Sequence, residues 1–105
     1  MKQGQSAPAL ELVWSEQAVR DLDAIADFIA VDDVVAAVRW VDELVAAAEP
    51  VRHAPRLGRK VPEFARDDVR EVIHGAYRIV YRIGPERIEV LTIFEGHRLL
   101  RSSSR

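Results

Sequence analysis

The chain has 105 residues and no cysteine, with 49% hydrophobic and 30% charged residues. This length suits a single hydrophobic core, and the balance of apolar and charged residues excludes an intrinsically disordered chain. No run approaches the roughly 20 apolar residues that a membrane span requires, and the opening residues MKQGQSAPALE do not form a signal peptide. We therefore expect a cytoplasmic protein of one domain.

The net charge of -2 conceals an uneven distribution along the chain. Residues 1–55 carry 4 Lys/Arg and 10 Asp/Glu, a balance of -6, whereas residues 56–105 carry 11 and 7, a balance of +4. The basic half indicates either an anionic partner or a solvated face whose arginines pair with carboxylates. His53, His74 and His97 lack metal-ligand spacing, so neither a metal nor a cofactor is expected.

The first half of the chain predicts a strand followed by two helices. Residues 1–10 are expected to form a flexible tail, and residues 11–14 a short strand. Ser15 can cap the first helix, and Asp32 or Asp33 the second. Apolar residues at helical spacing predict the buried face of the first helix at Ala18, Leu22, Ile25 and Ile29, widened by Val19 and Phe28. The buried face of the second helix is predicted at Val34, Val38, Val41, Val45 and Ala48, with Ala37 and Leu44 beside it. The short link between the two helices predicts an antiparallel helical hairpin.

The second half predicts a loop over residues 50–67 and then three strands. These strands are residues 69–74, 77–83 and 87–94, separated by the tight turns at Gly75-Ala76 and Gly84-Pro85-Glu86. Short turns between consecutive strands are typical of an antiparallel meander. The chain is therefore expected to fold as an α+β domain, with the helical hairpin packed on one face of a twisted sheet.

The middle strand places its aromatic and basic residues on opposite faces. Tyr77 and Tyr81 alternate with Arg78 and Arg82, so the tyrosines are expected in the core and the arginines on the face away from the helices. We expect these guanidinium groups to form a positively charged surface that a macromolecule could occupy.

In that order of elements, four segments together resemble the RelE/ParE superfamily of bacterial toxins from type II toxin–antitoxin systems. They are SEQAVRDLDAIADFIA in the first helix, PRLGRKVPEF after the hairpin, VREVIHGAYRIVYRI in the middle strands and IEVLTIFEGHR near the end. The resemblance covers residues 11–100, which leaves residues 101–105 as a second flexible tail.

The resemblance implies a toxin that arrests growth or stabilises a plasmid and is held inactive by a cognate antitoxin. The antitoxin is expected to bind a groove between the helical hairpin and the cationic edge of the sheet, where Leu22, Ile25, Ile29 and Trp40 are candidate contacts. An oligomer with the antitoxin is expected. Within the superfamily, ParE-like members inhibit DNA gyrase, whereas RelE-like members cut mRNA in the ribosomal A site.

A metal-independent nuclease needs a general base, a general acid and cations around the reacting phosphate. If the chain belongs to the nuclease branch, Arg70 and Arg78 are the candidate phosphate clamps and His97 is the candidate acid or base, which Glu95 could orient. The supporting or binding cations would be Arg59, Lys60, Arg82 and Arg98.

Three features favour the ParE-like branch. No tyrosine follows the Gly-His-Arg motif, the loop holds few cations, and the whole chain is acidic, which suits binding to ribosomal RNA poorly. The expected function is therefore gyrase inhibition without enzymatic activity. The alternatives are a ribosome-dependent mRNA endonuclease and a non-toxic interaction module on the same fold.

Overall fold

The computed structural model describes residues 9–96. Two helices follow a short strand, and the remaining strands follow the helices. The elements are β1 (Glu11–Trp14), α1 (Glu16–Ala30), α2 (Val34–Ala48), two 3₁₀ turns (Glu49–Arg52 and Pro55–Leu57), β2 (Arg59–Lys60), β3 (Val69–His74), β4 (Tyr77–Ile83) and β5 (Arg87–Glu95). The α+β fold is confirmed, with the order of helices and strands that the sequence predicts.

The strands form one five-stranded sheet in the order β1-β5-β4-β3-β2. The predicted meander of β3, β4 and β5 is antiparallel throughout. β1 adds a parallel edge, with Glu11 opposite Arg87 and Trp14 opposite Val90. The two-residue β2, which lies in the predicted loop, pairs with β3 at the other edge.

Side-chain caps fix the start of each helix. The Ser15 hydroxyl accepts a hydrogen bond from the Ala18 amide at 3.0 Å, and the Asp33 carboxylate accepts one from the Ala36 amide at 3.0 Å. Each cap satisfies an amide that has no partner within its own helix. Ser15 also donates to the Leu91 carbonyl of β5 at 3.0 Å, which ties the start of α1 to the sheet.

The main core lies between the hairpin and the sheet. It contains Ala18, Leu44, Ala48, Val51, Ile79, Tyr81, Ile88, Val90 and Ile93. The predicted buried face of α2 is partly wrong, because Val34 and Val38 are 65% and 59% exposed. Ala37 and Leu44, which flank the predicted stripe, are buried together with Ala48.

A second, smaller cluster lies on the opposite face of the sheet. Val61 folds back over Val69 and Val80, and Leu91 and Phe94 pack beside them. Residues 61–68 therefore cover a face that the sequence predicts to be open and cationic.

Leu10, at the end of the predicted N-terminal tail, is hydrogen-bonded to Arg52. The Leu10 amide donates to the Arg52 carbonyl at 3.0 Å, and the Arg52 side chain donates to the Leu10 carbonyl at 3.0 Å. No helix within residues 9–96 is long and apolar enough to cross a membrane.

Candidate functional site

Arg78 lies at the centre of a buried network of charges on the sheet face that turns away from the helices. Its Nε donates to Glu71 Oε1 at 2.6 Å, and its two terminal nitrogens donate to Glu63 at 2.9 and 3.0 Å. Arg59 donates to the second oxygen of Glu71 at 2.5 Å. The side chains of Arg78 and Glu71 are 5% and 0% exposed.

The position of Arg78 away from the helices is confirmed, but the expected open cationic surface is wrong there. Its guanidinium carbon also lies 4.9 Å from the centre of the Phe94 ring, in a cation–π arrangement. Hydrogen bonds to Glu63, and then to Glu71, hold the pKa of Arg78 above its ordinary value although burial opposes them. Arg78 therefore remains charged, but internal carboxylates occupy its donors.

A tight turn brings Glu63 to this network. The amides of Phe64 and Ala65 both donate to the Val61 carbonyl, at 3.1 and 2.9 Å, which closes one helical turn. Ala65 then adopts a φ of 53°, which is rare for a residue with a Cβ atom. Val61, with 0% exposure, anchors the turn in the outer cluster.

Arg70 lies on the opposite face of the sheet from Arg78. Its cross-strand partner is Tyr81, which is in the main core, whereas Arg78 is opposite Ile73. Because paired residues share a face, Arg70 and Arg78 point in opposite directions. The structure therefore does not bring the two candidate phosphate clamps together.

Arg70 holds two loops in place. It donates to the Asp67 carbonyl at 2.9 Å, to the Asp67 carboxylate at 2.6 Å and to the Gly58 carbonyl at 3.0 Å. Arg56 donates to the same carboxylate at 2.9 Å, and these bonds from Arg56 and Arg70 lower the pKa of Asp67. The Arg70 side chain is only 12% exposed.

The other candidate cations are also mostly paired. Each of the ten arginines within residues 9–96 has a carboxylate oxygen 2.5 to 3.9 Å away. Arg82, for example, pairs with Glu89 at 3.0 Å. Lys60 is exposed and makes no ion pair with the described residues. His97 and Arg98 lie outside the described residues.

One depression does bring two of the candidate cations to the same place. Arg59 and Arg78 line a space of about 360 Å³ near the β3–β4 turn, together with Ile73 and Gly96. His97, a predicted nuclease residue, follows Gly96 in the sequence but lies outside the described residues. Both arginines there donate to Glu71.

A cleft lies between α1 and the end of β5. β1 stops opposite Val90, so β5 continues past it, and Asp21 of α1 accepts hydrogen bonds from the Thr92 hydroxyl at 2.5 Å and the Ile93 amide at 2.9 Å. The cleft has a volume of about 380 Å³ and is lined by Asp21, Ala24, Ile25, Phe28, Tyr77, Ile93, Phe94 and Glu95. Burial, reinforced by the charge of Glu95, raises the pKa of Tyr77.

This α1–β5 cleft has the position of the predicted groove between hairpin and sheet, but its charge is different. Its ionisable carboxyl groups belong to Asp21 and Glu95, and no arginine or lysine lines it. Its apolar wall includes Phe28, which is 76% exposed. The predicted cationic character of the groove is therefore wrong for the described part of the chain.

Trp40 joins α2 to the β3–β4 turn. Its ring makes edge-on contacts with His74 and Tyr77 at centroid distances of 5.8 and 5.7 Å, and it covers Gly75. Glu43 also lies 3.2 Å from His74. Trp40 thus already packs inside this chain, as Leu22 and Ile25 partly do, so a partner could contact only their exposed portions.

The sequence reasoning missed two features of these surfaces. The sequence does not indicate Glu63 as the partner of Arg78, because an irregular loop has no pattern that shows which strand residue it will contact. The helical spacing predicts that Val34 and Val38 of α2 are buried, but the run Val34-Val35-Ala36-Ala37-Val38 is apolar around the whole helix and therefore also allows a second apolar face.

A family model described as the ParE toxin of type II toxin–antitoxin systems, parDE, matches residues 12–100. The chain belongs to the ParE toxin family. No curated protein sequence matches it.

Two solved structures share the fold of this ParE-family chain. A chain of the chromosomal ParDE toxin–antitoxin system from P. aeruginosa has a TM-score of 0.70 and 24% identity, covering 83% of this chain and 96% of that one. A chain of the toxin–antitoxin complex RelBE2 from Mycobacterium tuberculosis has a TM-score of 0.61 and 20% identity, covering 84% and 92%. At these identities the likeness concerns the fold alone.

Proposed function

We propose that this ParE-family toxin inhibits DNA gyrase through protein contacts and does not cut RNA. The observation that supports this most strongly is the pairing of Arg78 with Glu71 and Glu63, at 2.6 to 3.0 Å, on a nearly fully buried side chain. The arginine best placed to hold a phosphate on the outer face thus has its donors directed at internal carboxylates.

The cost of freeing Arg78 explains why this pairing disfavours the nuclease function. A phosphate would have to displace two carboxylates from one guanidinium group and then lie close to both of them. Leaving a buried charge without its partner costs about 3–5 kcal/mol. Long-range electrostatic repulsion between this acidic chain and the RNA backbone would also oppose binding.

The proposed function includes neutralisation by a cognate antitoxin. The resemblance to the superfamily and the toxin–antitoxin complexes of the two structural relatives support such a partner. The α1–β5 cleft, with an apolar wall and two carboxylates, suits a partner segment that is apolar and neutral or basic where it meets Asp21 and Glu95. The toxin would form an oligomer with its antitoxin and act in the cytoplasm, where gyrase is located.

The second candidate function is the ribosome-dependent mRNA endonuclease. The depression that Arg59 and Arg78 share beside Gly96 favours it, because His97 follows directly in the sequence. In this alternative, Arg59 and Arg78 bind the phosphate, His97 serves as the acid or base that the sequence predicts, and Arg70 only stabilises the fold. A non-toxic interaction module is the third candidate and predicts no growth arrest on expression.

Two purified reactions distinguish the first two functions. In the first, the toxin is mixed with gyrase, supercoiled plasmid and ATP, and cleaved plasmid is measured with and without the antitoxin. In the second, the toxin is added to translating ribosomes, and cuts in the mRNA are mapped. Gyrase inhibition predicts cleaved plasmid and intact mRNA.

The matched variants are Arg59→Ala and Arg82→Ala. Both residues are surface arginines paired with one glutamate, and their side chains are 60% and 51% exposed. A nuclease would lose activity in Arg59→Ala and keep it in Arg82→Ala. Gyrase inhibition predicts no selective effect of Arg59→Ala on plasmid cleavage. mRNA cuts that disappear in Arg59→Ala alone would establish the alternative.

A further inference from the structure

The outward face of α2 carries an apolar stripe that nothing in the described chain covers. Val35, Val38, Asp42 and Ala46 follow one another at spacings of three, four and four residues, which places them on one side of the helix. Val35 and Val38 are 74% and 59% exposed. With Val34 they line an open depression of about 660 Å³ along the helix.

We propose that this α2 stripe binds a short amphipathic helix of a partner protein, with aliphatic side chains on either side of a central Lys or Arg. The stripe runs over twelve residues, from Val35 to Ala46, or about 16 Å at the rise of an α-helix, which matches about three turns of a partner helix. Exposed rows of side chains along a helix are the surface against which another helix packs. This partner site is additional to the proposed function.

Charge identifies the central residue of the partner. Asp42 lies within the stripe and makes no ion pair or hydrogen bond with residues 9–96, so its carboxylate is available to a partner cation. From Asp21 to Glu43 the chain carries seven carboxylates and one cation, Arg39. Arg39 already lies 3.9 Å from Glu43. The negative charge of these carboxylates would attract a partner cation opposite Asp42 and repel a partner anion.

The same charges disfavour the other occupants of an exposed apolar stripe. In a symmetric dimer the stripe would meet its own copy, which would bring two Asp42 carboxylates and two acidic hairpins together. An anionic membrane surface and a nucleic acid carry the same sign of charge as the hairpin. A basic amphipathic helix can pack apolar side chains against the exposed valines of the stripe and place a cation opposite Asp42.

The α2 stripe is also separate from the α1–β5 cleft. The residues that line the two spaces do not overlap, since one set lies on α2 alone and the other on α1, β4 and β5. A partner on the stripe would therefore leave the cleft accessible. Peptide binding to the stripe can be tested without gyrase or antitoxin. A failure of the proposed partner site is therefore distinguishable from a failure of the proposed gyrase inhibition.

The test uses synthetic 14-residue helical peptides and the full chain. The first peptide has leucines on one face with a central lysine, and the second differs only in a glutamate for that lysine. Binding is measured by fluorescence anisotropy at low and physiological salt. We expect saturable binding of the lysine peptide and at least about tenfold weaker binding of the glutamate peptide. Asp42→Lys should reverse this preference.

Variants of exposed residues control for the apolar contact. The double variant Val35→Ser/Val38→Ser should lose the lysine peptide, and its substitutions cost the helix little because the two residue types have similar helix propensities. Leu57→Ser, at a 60% exposed residue outside the helices, should bind as the unsubstituted chain does.

Several results would overturn the proposal. These are no saturable binding of the lysine peptide, equal binding of both peptides, no reversal in Asp42→Lys, or equal loss of binding in Leu57→Ser and the double valine variant. Sedimentation as a dimer that the double variant dissociates would assign the stripe to a second copy. Stripe-dependent binding to phosphatidylglycerol vesicles would assign it to a membrane surface.

Discussion

Arg78 and Glu71 form an ion pair of 2.6 Å in which the side chains are 5% and 0% exposed. The pair lies on the sheet face that turns away from the helices, where strand alternation alone predicts solvated cations. Glu63 also pairs with Arg78 at 2.9 Å, and the Phe94 ring packs against its guanidinium group. The α1–β5 cleft and the α2 stripe, in contrast, expose apolar and acidic side chains.

The first prediction concerns the stability that depends on Arg78. Arg78→Met leaves Glu63 and Glu71 without this donor in a buried site, so the free energy of unfolding should fall by about 3–5 kcal/mol in urea denaturation. The matched variant Arg82→Met removes an exposed pair with Glu89 and should cost no more than about 1 kcal/mol. Equal losses in the two variants would show that the buried network does not stabilise the fold.

The second prediction concerns the close approach of Gly58 to Tyr81. The Gly58 amide donates to the Tyr81 hydroxyl at 3.0 Å, and the hydroxyl donates to the Pro55 carbonyl at 2.6 Å. A Cβ atom at Gly58 would lie 2.5 Å from the Glu71 carbonyl oxygen and 2.7 Å from that hydroxyl. Gly58→Ala should therefore lower the free energy of unfolding by about 1–3 kcal/mol.

Tyr81→Phe tests the same contact from the other side. It removes the hydroxyl from both hydrogen bonds and should cost about 1–3 kcal/mol. The two substitutions should cost less together than the sum of their separate effects, because they share one contact. Additive losses in thermal unfolding would contradict the coupling. Tyr77→Phe serves as the control, since its hydroxyl has no hydrogen-bond partner among the described residues.

The third prediction is a loss of stability at alkaline pH. Burial raises the pKa of Tyr81 above its ordinary value of 10.0, although the Gly58 amide and Arg70 partly oppose this. The folded chain therefore retains a proton that the unfolded chain releases, so stability is complete below pH 10 and falls as the pH rises above it. Unfolding followed from pH 8 to 12 should show a smaller decline in Tyr81→Phe. Identical declines would exclude Tyr81 as a cause.

The fourth prediction concerns the backbone at Ala65. Its φ of 53° costs a residue with a Cβ atom about 1–2 kcal/mol relative to the right-handed region, whereas glycine adopts it freely. Ala65→Gly should therefore raise the free energy of unfolding. The increase should be only a few tenths to about 1 kcal/mol, because the greater entropy of glycine in the unfolded chain offsets part of the relieved strain. Ala24→Gly, at an exposed position in α1, should lower it by about 1 kcal/mol. A loss in both variants would contradict the assigned conformation.

The regular elements were predictable because local rules determine them. Ser15 and Asp33 act as caps in the way their side chains indicate, and Gly75, with a φ of 59°, forms the first residue of a two-residue turn. The ends of β3 and β4 follow from the alternation of apolar and polar side chains and from the turns at Gly75-Ala76 and Gly84-Pro85-Glu86. The parallel position of β1 does not follow from any local pattern, because it depends on where the helical hairpin returns the chain.

The charge network and the exposed valines could not be predicted for a different reason. Glu63 and Arg78 are fifteen residues apart, and the turn that joins them contains no repeating pattern. On α2, valines occupy several sides of the helix, so the pattern allows more than one buried face. In the structure Ala37 is 5% exposed, whereas Val34 and Val38 are 65% and 59% exposed.

The measurement that tests the account most directly is plasmid cleavage by purified gyrase in the presence of this toxin. Inhibition of gyrase through protein contacts predicts that linear plasmid accumulates with added toxin, that antitoxin abolishes it, and that Arg59→Ala behaves as Arg82→Ala does. Unchanged gyrase activity, together with mRNA cuts on translating ribosomes that Arg59→Ala removes, would contradict the proposed function.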